Sequence, residues 1–87
     1  MTQKSRFPSF AGLAVAATGV SHFVKPELFE SITAPAFPDN TRRAIFINGG
    51  IETAIGLGLL SDRTRKPALV GAVAYVLYLG ANGVRNR

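Results

Sequence analysis

Two ionisable side chains stand out because each lies within or beside a long apolar run. Glu52 is the only acid in TRRAIFINGGIETAIGLGLL, residues 41–60, and the single histidine, His22, lies near the end of an earlier run. A carboxylate is costly to desolvate, so an acid in such a run needs a partner, a proton or water. A carboxyl group beside an imidazole can hold a proton or hydrogen-bond a polar headgroup. We therefore expect whatever this chain does to take place near Glu52.

Four further polar side chains are expected at a similar depth. Asn48 lies one helical turn before Glu52, and three polar residues share one face of a later apolar run. If successive runs cross a membrane in alternating directions, all of them approach His22. The candidate polar pocket comprises His22, Asn48, Glu52, Tyr75, Tyr78 and Asn82. A purely structural role stays open, in which these groups lock the helices by hydrogen bonds of about 0.6 kcal/mol each.

Three apolar runs must position these residues. Their lengths predict helices at about 9–24, 41–60 and 67–84, with a short interfacial helix at about 26–33 among the prolines of the first connection. Pro67 suits the first turn of the last helix. The sequence therefore predicts an all-α fold, an integral membrane helical bundle with three transmembrane helices in a single domain, residues 1–87.

Small residues and basic residues complete this prediction. Gly50, Ala54 and Gly58 recur every four residues, a spacing that favours close helix packing in a bilayer. Lys and Arg divide five to five between the two predicted sides of the membrane, so their count does not orient the chain. The density of basic residues in the loop at 61–66 favours the cytoplasm for that loop.

Composition excludes several classes of function. The chain has 87 residues, no cysteine and one histidine, so we predict no metal site, no thiol chemistry and no catalytic residues. The net charge of +5 is scattered between apolar runs rather than concentrated on one face, which disfavours nucleic-acid binding. We therefore expect no enzyme activity from this chain alone.

Two other classes of protein fit parts of the pattern. Lys4 and Arg6 precede the first run, and Ala14, Ala16 and Ala17 provide small residues within it, a layout shared with secretory signal peptides. A soluble basic helical domain also stays open, because the first run is short for a membrane span.

An ordered set of motifs along almost the whole chain resembles the DoxX-like family of small bacterial integral membrane proteins. The set comprises His22-Phe23, Pro26, Phe29, Ile32, Pro35, Pro38, Gly49, Glu52, Gly56, Leu59-Leu60, Arg63-Thr64-Arg65 and Ala81-Asn82. The resemblance implies a four-helix membrane bundle, in some members associated with quinone-linked oxidoreductases or oxidative-stress complexes. Here three apolar runs are present, which implies an exposed flank that pairs with another copy or a partner subunit.

The apolar runs predict a multi-pass membrane protein, and the resemblance implies that the membrane is the bacterial inner membrane. The expected function is that of a non-catalytic subunit of a larger membrane complex or a homo-oligomer, in contact with membrane lipids. The alternative is a redox-accessory protein that binds a lipid or quinone in the pocket around Glu52; no other cofactor is expected.

Overall fold

The computed structural model describes residues 7–87; Lys4 and Arg6 lie outside this range. The described chain is helical, which confirms the all-α prediction. The elements, in order, are α1 (Phe7–Val24), a 3-10 turn (Pro26–Phe29), α2 (Glu30–Thr33), α3 (Thr41–Leu59) and α4 (Asp62–Arg85). The first of the predicted helices thus begins two residues earlier than expected, and the predicted interfacial helix divides into the 3-10 turn and α2.

Helix α3 is the centre of the fold. It packs against both α1 and α4, whereas no close backbone contact joins α1 to α4 in the described range. The Cα atoms extend over 49 × 26 × 15 Å, so the three long helices lie side by side in one thin layer. Glu52 and Asn48 of α3 therefore lie between the two outer helices.

The contact between α1 and α3 depends on glycines that bring the two backbones together. A Cβ on Gly56 would lie 2.3 Å from the backbone nitrogen of Ala16, and a Cβ on Gly19 would lie 2.4 Å from that of Thr53. Neither helix has room there for a side-chain atom. Gly12 and Gly49 occupy similarly tight positions in the same interface.

This interface does not use the predicted strip of small residues. Gly50 and Ala54 are exposed, and a Cβ on Gly50 would meet only the ring of Phe23, at 3.9 Å. Gly58 does pack closely, with its added Cβ 2.8 Å from the Cβ of Ala68 in α4. The glycines of α3 that meet α1 are Gly49 and Gly56, which are seven residues apart, because α1 approaches a different face of α3 from the one that carries Gly50 and Ala54.

Helix α4 begins at Asp62, five residues before the predicted start, so the expected loop at 61–66 is largely the first turns of a helix. Ser61 is its N-cap, and the Ser61 hydroxyl accepts a hydrogen bond from the backbone N–H of Arg63 at 3.3 Å. Asp62 adds a favourable negative charge to the first turn. Pro67 is accommodated in the second turn rather than at the start.

The first turn of α4 also satisfies the end of α3. The last carbonyl groups of a helix have no partner within it. Here the Thr64 hydroxyl donates to the Gly58 carbonyl at 2.7 Å, and Nε of Arg65 donates to the Leu59 carbonyl at 2.9 Å. These two bonds let α3 turn into α4 through Leu60 and Ser61 alone.

The described surface is strongly apolar. Six hydrophobic residues of the described range are buried, and large apolar side chains are exposed along all three long helices, among them Leu13, Val20, Leu57, Val70, Val73, Val76 and Leu77. Among the helices described here, α4 is the one long and apolar enough to cross a membrane, and none of its apolar window is buried. The apolar part of α1, Pro8–Val24, is shorter, and α3 carries Arg42, Arg43 and Glu52. By length and composition, one of the described helices could cross a membrane, and the three predicted spans are not confirmed.

Candidate functional site: a polar cavity between the three long helices

A cavity of about 200 Å³ lies between α1, α3, α4 and the segment after α1. Four of the six predicted pocket residues line it, namely His22, Asn48, Glu52 and Tyr75. The remaining walls come from Ile32, Thr33, Ala36, Phe37 and Leu79. We call this space the polar cavity. The antiparallel course of α1 and α3 explains the convergence, since the end of α1 meets the first half of α3.

Glu52 and Tyr75 connect α3 to α4 at the edge of the polar cavity. The Tyr75 hydroxyl donates a hydrogen bond to Oε2 of Glu52 at 2.5 Å. The Glu52 side chain is 18% exposed, so it is largely buried between the helices but can still be reached from the cavity. Glu52 therefore has the partner that its apolar surroundings require.

His22 is held rigidly on the opposite side of Glu52. Its ring is 4% exposed, stacks on Phe29 with centroids 3.7 Å apart, and places Nδ1 2.8 Å from the carbonyl oxygen of Thr18. A carbonyl oxygen only accepts hydrogen bonds, so Nδ1 carries the hydrogen. The other ring nitrogen, Nε2, lies 4.0 Å from Oε2 of Glu52.

The separation of 4.0 Å between Nε2 of His22 and Oε2 of Glu52 is longer than a hydrogen bond. The imidazole and the carboxyl group therefore face each other across the edge of the polar cavity without a direct hydrogen bond between them.

Asn48 has a different environment from its neighbours. It is 4% exposed, and its side-chain oxygen Oδ1 has no hydrogen-bond partner within residues 7–87. An unsatisfied buried acceptor costs about 1–3 kcal/mol. Because Asn48 lines the polar cavity, a molecule bound there can reach it.

Tyr78 and Asn82, the other two predicted pocket residues, lie outside the polar cavity. They line a neighbouring groove of about 250 Å³ with Arg43, Arg85 and residues of the connection before α3. Both polar atoms of the Asn82 side chain are hydrogen-bonded: Nδ2 donates to the Tyr78 carbonyl at 2.8 Å, and Oδ1 accepts from the Arg85 guanidinium at 2.9 Å. Asn82 is seven residues beyond Tyr75, about 10 Å along the helix axis, which is too far to share the cavity.

An apolar groove of about 320 Å³ adjoins the polar cavity. It runs between α1 and α4 and is lined by Ala14, Val15, Thr18, Ile55, Leu59, Ala72 and Val76 in addition to Glu52 and Tyr75. Glu52 and Tyr75 thus form a wall common to both spaces. A polar site next to an apolar groove suits a molecule with a polar head and an apolar tail.

Several residues of the site were not found from the sequence. Thr18 precedes His22 by four residues, so helical spacing alone could have paired its carbonyl with the imidazole. Phe29 and Phe37 reach the site only because the chain reverses after α1, and no local pattern signals that. Within the described residues no group of three or more His, Asp or Glu side chains could hold a metal ion.

Residues 11–84 match the family described as Domain of unknown function (DUF8561), so the chain belongs to that family. No curated protein and no solved structure matches the chain.

Proposed function

We propose that this chain is a small multi-pass membrane protein that acts without catalysis of its own, as a subunit of a homo-oligomer or of a larger membrane complex. The observation that carries the proposal is that no residue in the apolar window of α4 is buried. An apolar helix in a water-soluble protein turns an apolar face to the core, whereas a helix in lipid has no such need.

The packing of α1 and α3 supports their crossing the bilayer together with α4. Both are close to the length of a span, at 18 and 19 residues, and their backbones touch at glycines as transmembrane helices often do. Arg42 and Arg43 lie in the first turn of α3, where long side chains can reach the headgroups. Glu52 lies inside, where His22 and Tyr75 compensate for it.

A matched pair of substitutions tests the membrane location. Val73 lies at the middle of α4 and Val84 near its end, and both are about equally exposed, at 61% and 64%. In a bilayer Val73→Lys costs about 2.5–3.5 kcal/mol of insertion free energy, while Val84→Lys costs little because the side chain reaches the interface. An insertion assay with glycosylation sites on either side of α4 measures this difference. Equal insertion of both variants, together with release of the wild type by carbonate, would refute a membrane location.

The proposed orientation places residues 61–66 in the cytoplasm. The sequence has no cysteine, so single cysteines report without background. Leu60→Cys in the turn between α3 and α4 should be protected from a membrane-impermeant maleimide added to intact cells, and Asp39→Cys should be labelled. The opposite pattern would reverse the orientation.

The three long helices form one thin layer whose two faces are uncovered, and this arrangement supports assembly with other chains. Gly50, Ala54 and Leu57 are exposed on α3, the central helix, so further helices can approach it. Native mass spectrometry in mild detergent should detect more than one chain per particle, or this chain with a larger membrane protein. A lone chain of 9.2 kDa at every protein concentration would contradict this part of the proposal.

The polar cavity favours a second candidate function, the binding of a lipid or quinone as a redox-accessory protein. His22, Asn48, Glu52 and Tyr75 surround one cavity that adjoins an apolar groove, which supports a ligand site more than simple helix locking. Kinship with the DoxX-like family would fit this function and stays a prediction. Glu52→Gln keeps the size of the side chain and removes its charge. Unchanged retention of small molecules by this variant, compared by mass spectrometry with the wild type, would leave Glu52 a structural role.

A further inference from the structure

The unsatisfied acceptor in the polar cavity indicates what the ligand must offer. Oδ1 of Asn48 has no hydrogen-bond partner in the described chain, although the residue is buried, with 4% of its surface exposed. Two other polar groups of the cavity are hydrogen-bonded: the Tyr75 hydroxyl donates to Glu52, and Nδ1 of His22 donates to the carbonyl of Thr18. A ligand that donates a hydrogen bond to Asn48 would remove the cost of the buried acceptor.

The charge of the cavity lining restricts the headgroup further. The lining contains no Lys or Arg, and its ionisable groups are His22, Glu52 and Tyr75. A phosphate headgroup would have no guanidinium or ammonium partner and would face the carboxyl group of Glu52. Arg43 and Arg85 line the neighbouring groove and do not line this cavity. An uncharged headgroup therefore fits best.

Size sets the scale of the headgroup. A cavity of about 150 Å³ in another protein binds benzene, and the polar cavity here has about 200 Å³. One ring with small substituents fits this volume. Phe37, Ile32 and Leu79 provide apolar walls for the faces and edges of a ring.

The apolar groove provides for the rest of the molecule. It shares Glu52 and Tyr75 with the polar cavity, and its other walls are mainly Ala, Val, Ile and Leu side chains. A ring in the polar cavity can thus carry an alkyl or isoprenoid tail that continues past Glu52 and Tyr75 into the groove. The groove opens between α1 and α4 towards the proposed lipid phase.

We infer that the polar cavity binds an uncharged membrane amphiphile whose ring headgroup donates a hydroxyl hydrogen bond to Asn48 and whose tail lies in the apolar groove. This inference rests on the second candidate function and names its ligand class. Hydroquinones with an apolar tail have this chemistry. Phosphate-containing lipids do not.

The test uses the full chain in phosphatidylcholine nanodiscs with three probes: decylhydroquinone, its dimethyl ether, and cholesterol. Binding of decylhydroquinone, followed by the quenching of Tyr75 and Tyr78 fluorescence or by calorimetry, should exceed that of the dimethyl ether by about tenfold, the loss expected for one hydrogen bond. Cholesterol, whose four fused rings exceed the one ring that the cavity admits, should bind weakly, and cholesterol binding in place of decylhydroquinone would overturn the ligand class. Equal binding of the hydroquinone and its ether would overturn it.

Asn48→Leu provides the decisive variant and Asn82→Leu its matched control. Asn48→Leu removes the acceptor, so the preference for hydroquinone over ether should disappear. The ligand-free variant should melt no lower than the wild type, because an unsatisfied acceptor has been replaced by an apolar group. Asn82→Leu should keep the preference. If Asn48→Leu lowers the melting temperature and leaves the preference unchanged, Asn48 has a structural role and the inference is wrong.

The groove is tested separately by Ala14→Phe, an exposed position on its rim. The larger side chain should weaken the binding of decylhydroquinone and leave that of tail-free hydroquinone unchanged.

Displacement of decylhydroquinone by phosphatidylglycerol would overturn the ligand class while a ligand-binding function survives. If none of these probes, including phosphatidylglycerol, binds to a protein that is folded in the nanodisc, the second candidate function fails as well.

Discussion

The close contact between α1 and α3 predicts an unusual response to Gly56→Ala. In most exposed helix positions Gly→Ala is stabilising by about 1 kcal/mol, since Ala is the better helix former. At Gly56 the new Cβ would lie 2.3 Å from the nitrogen of Ala16 and 2.6 Å from the carbonyl oxygen of Gly12. Both are backbone atoms, so no side-chain rotation relieves the overlap.

The magnitude follows from the distances. Ordinary contact begins near 3.4 Å, so α1 and α3 must separate by roughly 1.1 Å at this point. Overpacking of this kind costs about 1–3 kcal/mol, and the involvement of two backbones favours the upper end. After subtracting the gain in helix propensity, we expect Gly56→Ala to lose about 2 kcal/mol of unfolding free energy.

Gly80→Ala is the matched control, because nothing lies within 4 Å of a Cβ at this exposed position of α4. This variant should be as stable as the wild type or slightly more stable. The assay is reversible unfolding in mixed micelles of mild detergent and dodecyl sulfate, followed by the helical circular dichroism signal. A Gly56→Ala variant as stable as Gly80→Ala would refute the packing of α1 on α3 described above.

Two further predictions concern polar links between helices. Thr64→Val should lose about 1 kcal/mol of unfolding free energy, because the Gly58 carbonyl at the end of α3 loses its donor. Thr18→Val should lose less, since the hydroxyl of Thr18 donates to a carbonyl inside its own helix. Equal losses in the same unfolding assay would contradict the capping role of Thr64. A double-mutant cycle of Glu52→Ala and Tyr75→Phe should give a coupling energy of about 0.6–1.7 kcal/mol, and a value near zero would show that the bond from Tyr75 to Glu52 contributes nothing to stability.

Much of the candidate site followed from residue types and helical spacing. An acid in an apolar run, an asparagine one turn before it and a single histidine at the end of another run were enough to predict that Glu52, Asn48 and His22 meet. Tyr75 was placed correctly by the same argument of alternating helix directions. Asn82 was misplaced, because the helix axis carries it about 10 Å beyond Tyr75.

The helix contacts were less predictable. Several small residues occur in α3, and the sequence analysis selected Gly50, Ala54 and Gly58 for their four-residue spacing, whereas Gly49 and Gly56 meet α1. The choice depends on the direction from which α1 approaches, and that direction is set by the connection through the 3-10 turn and α2. Likewise, the start of α4 at Asp62 depends on the N-cap Ser61 and on hydrogen bonds from Thr64 and Arg65 to the end of α3.

The sequence by itself determined that the chain is helical, that its helices are apolar on most of their surface, and that one acid must be compensated inside them. These properties depend on local periodicity and on the cost of desolvation, which act within a single segment. Only the tertiary structure decided which glycines touch, that Tyr75 and His22 both face the carboxyl group of Glu52, and that Oδ1 of Asn48 has no hydrogen-bond partner among residues 7–87. Those outcomes depend on how separate helices approach one another, and the interatomic distances across their interfaces are not encoded in the spacing of any one helix.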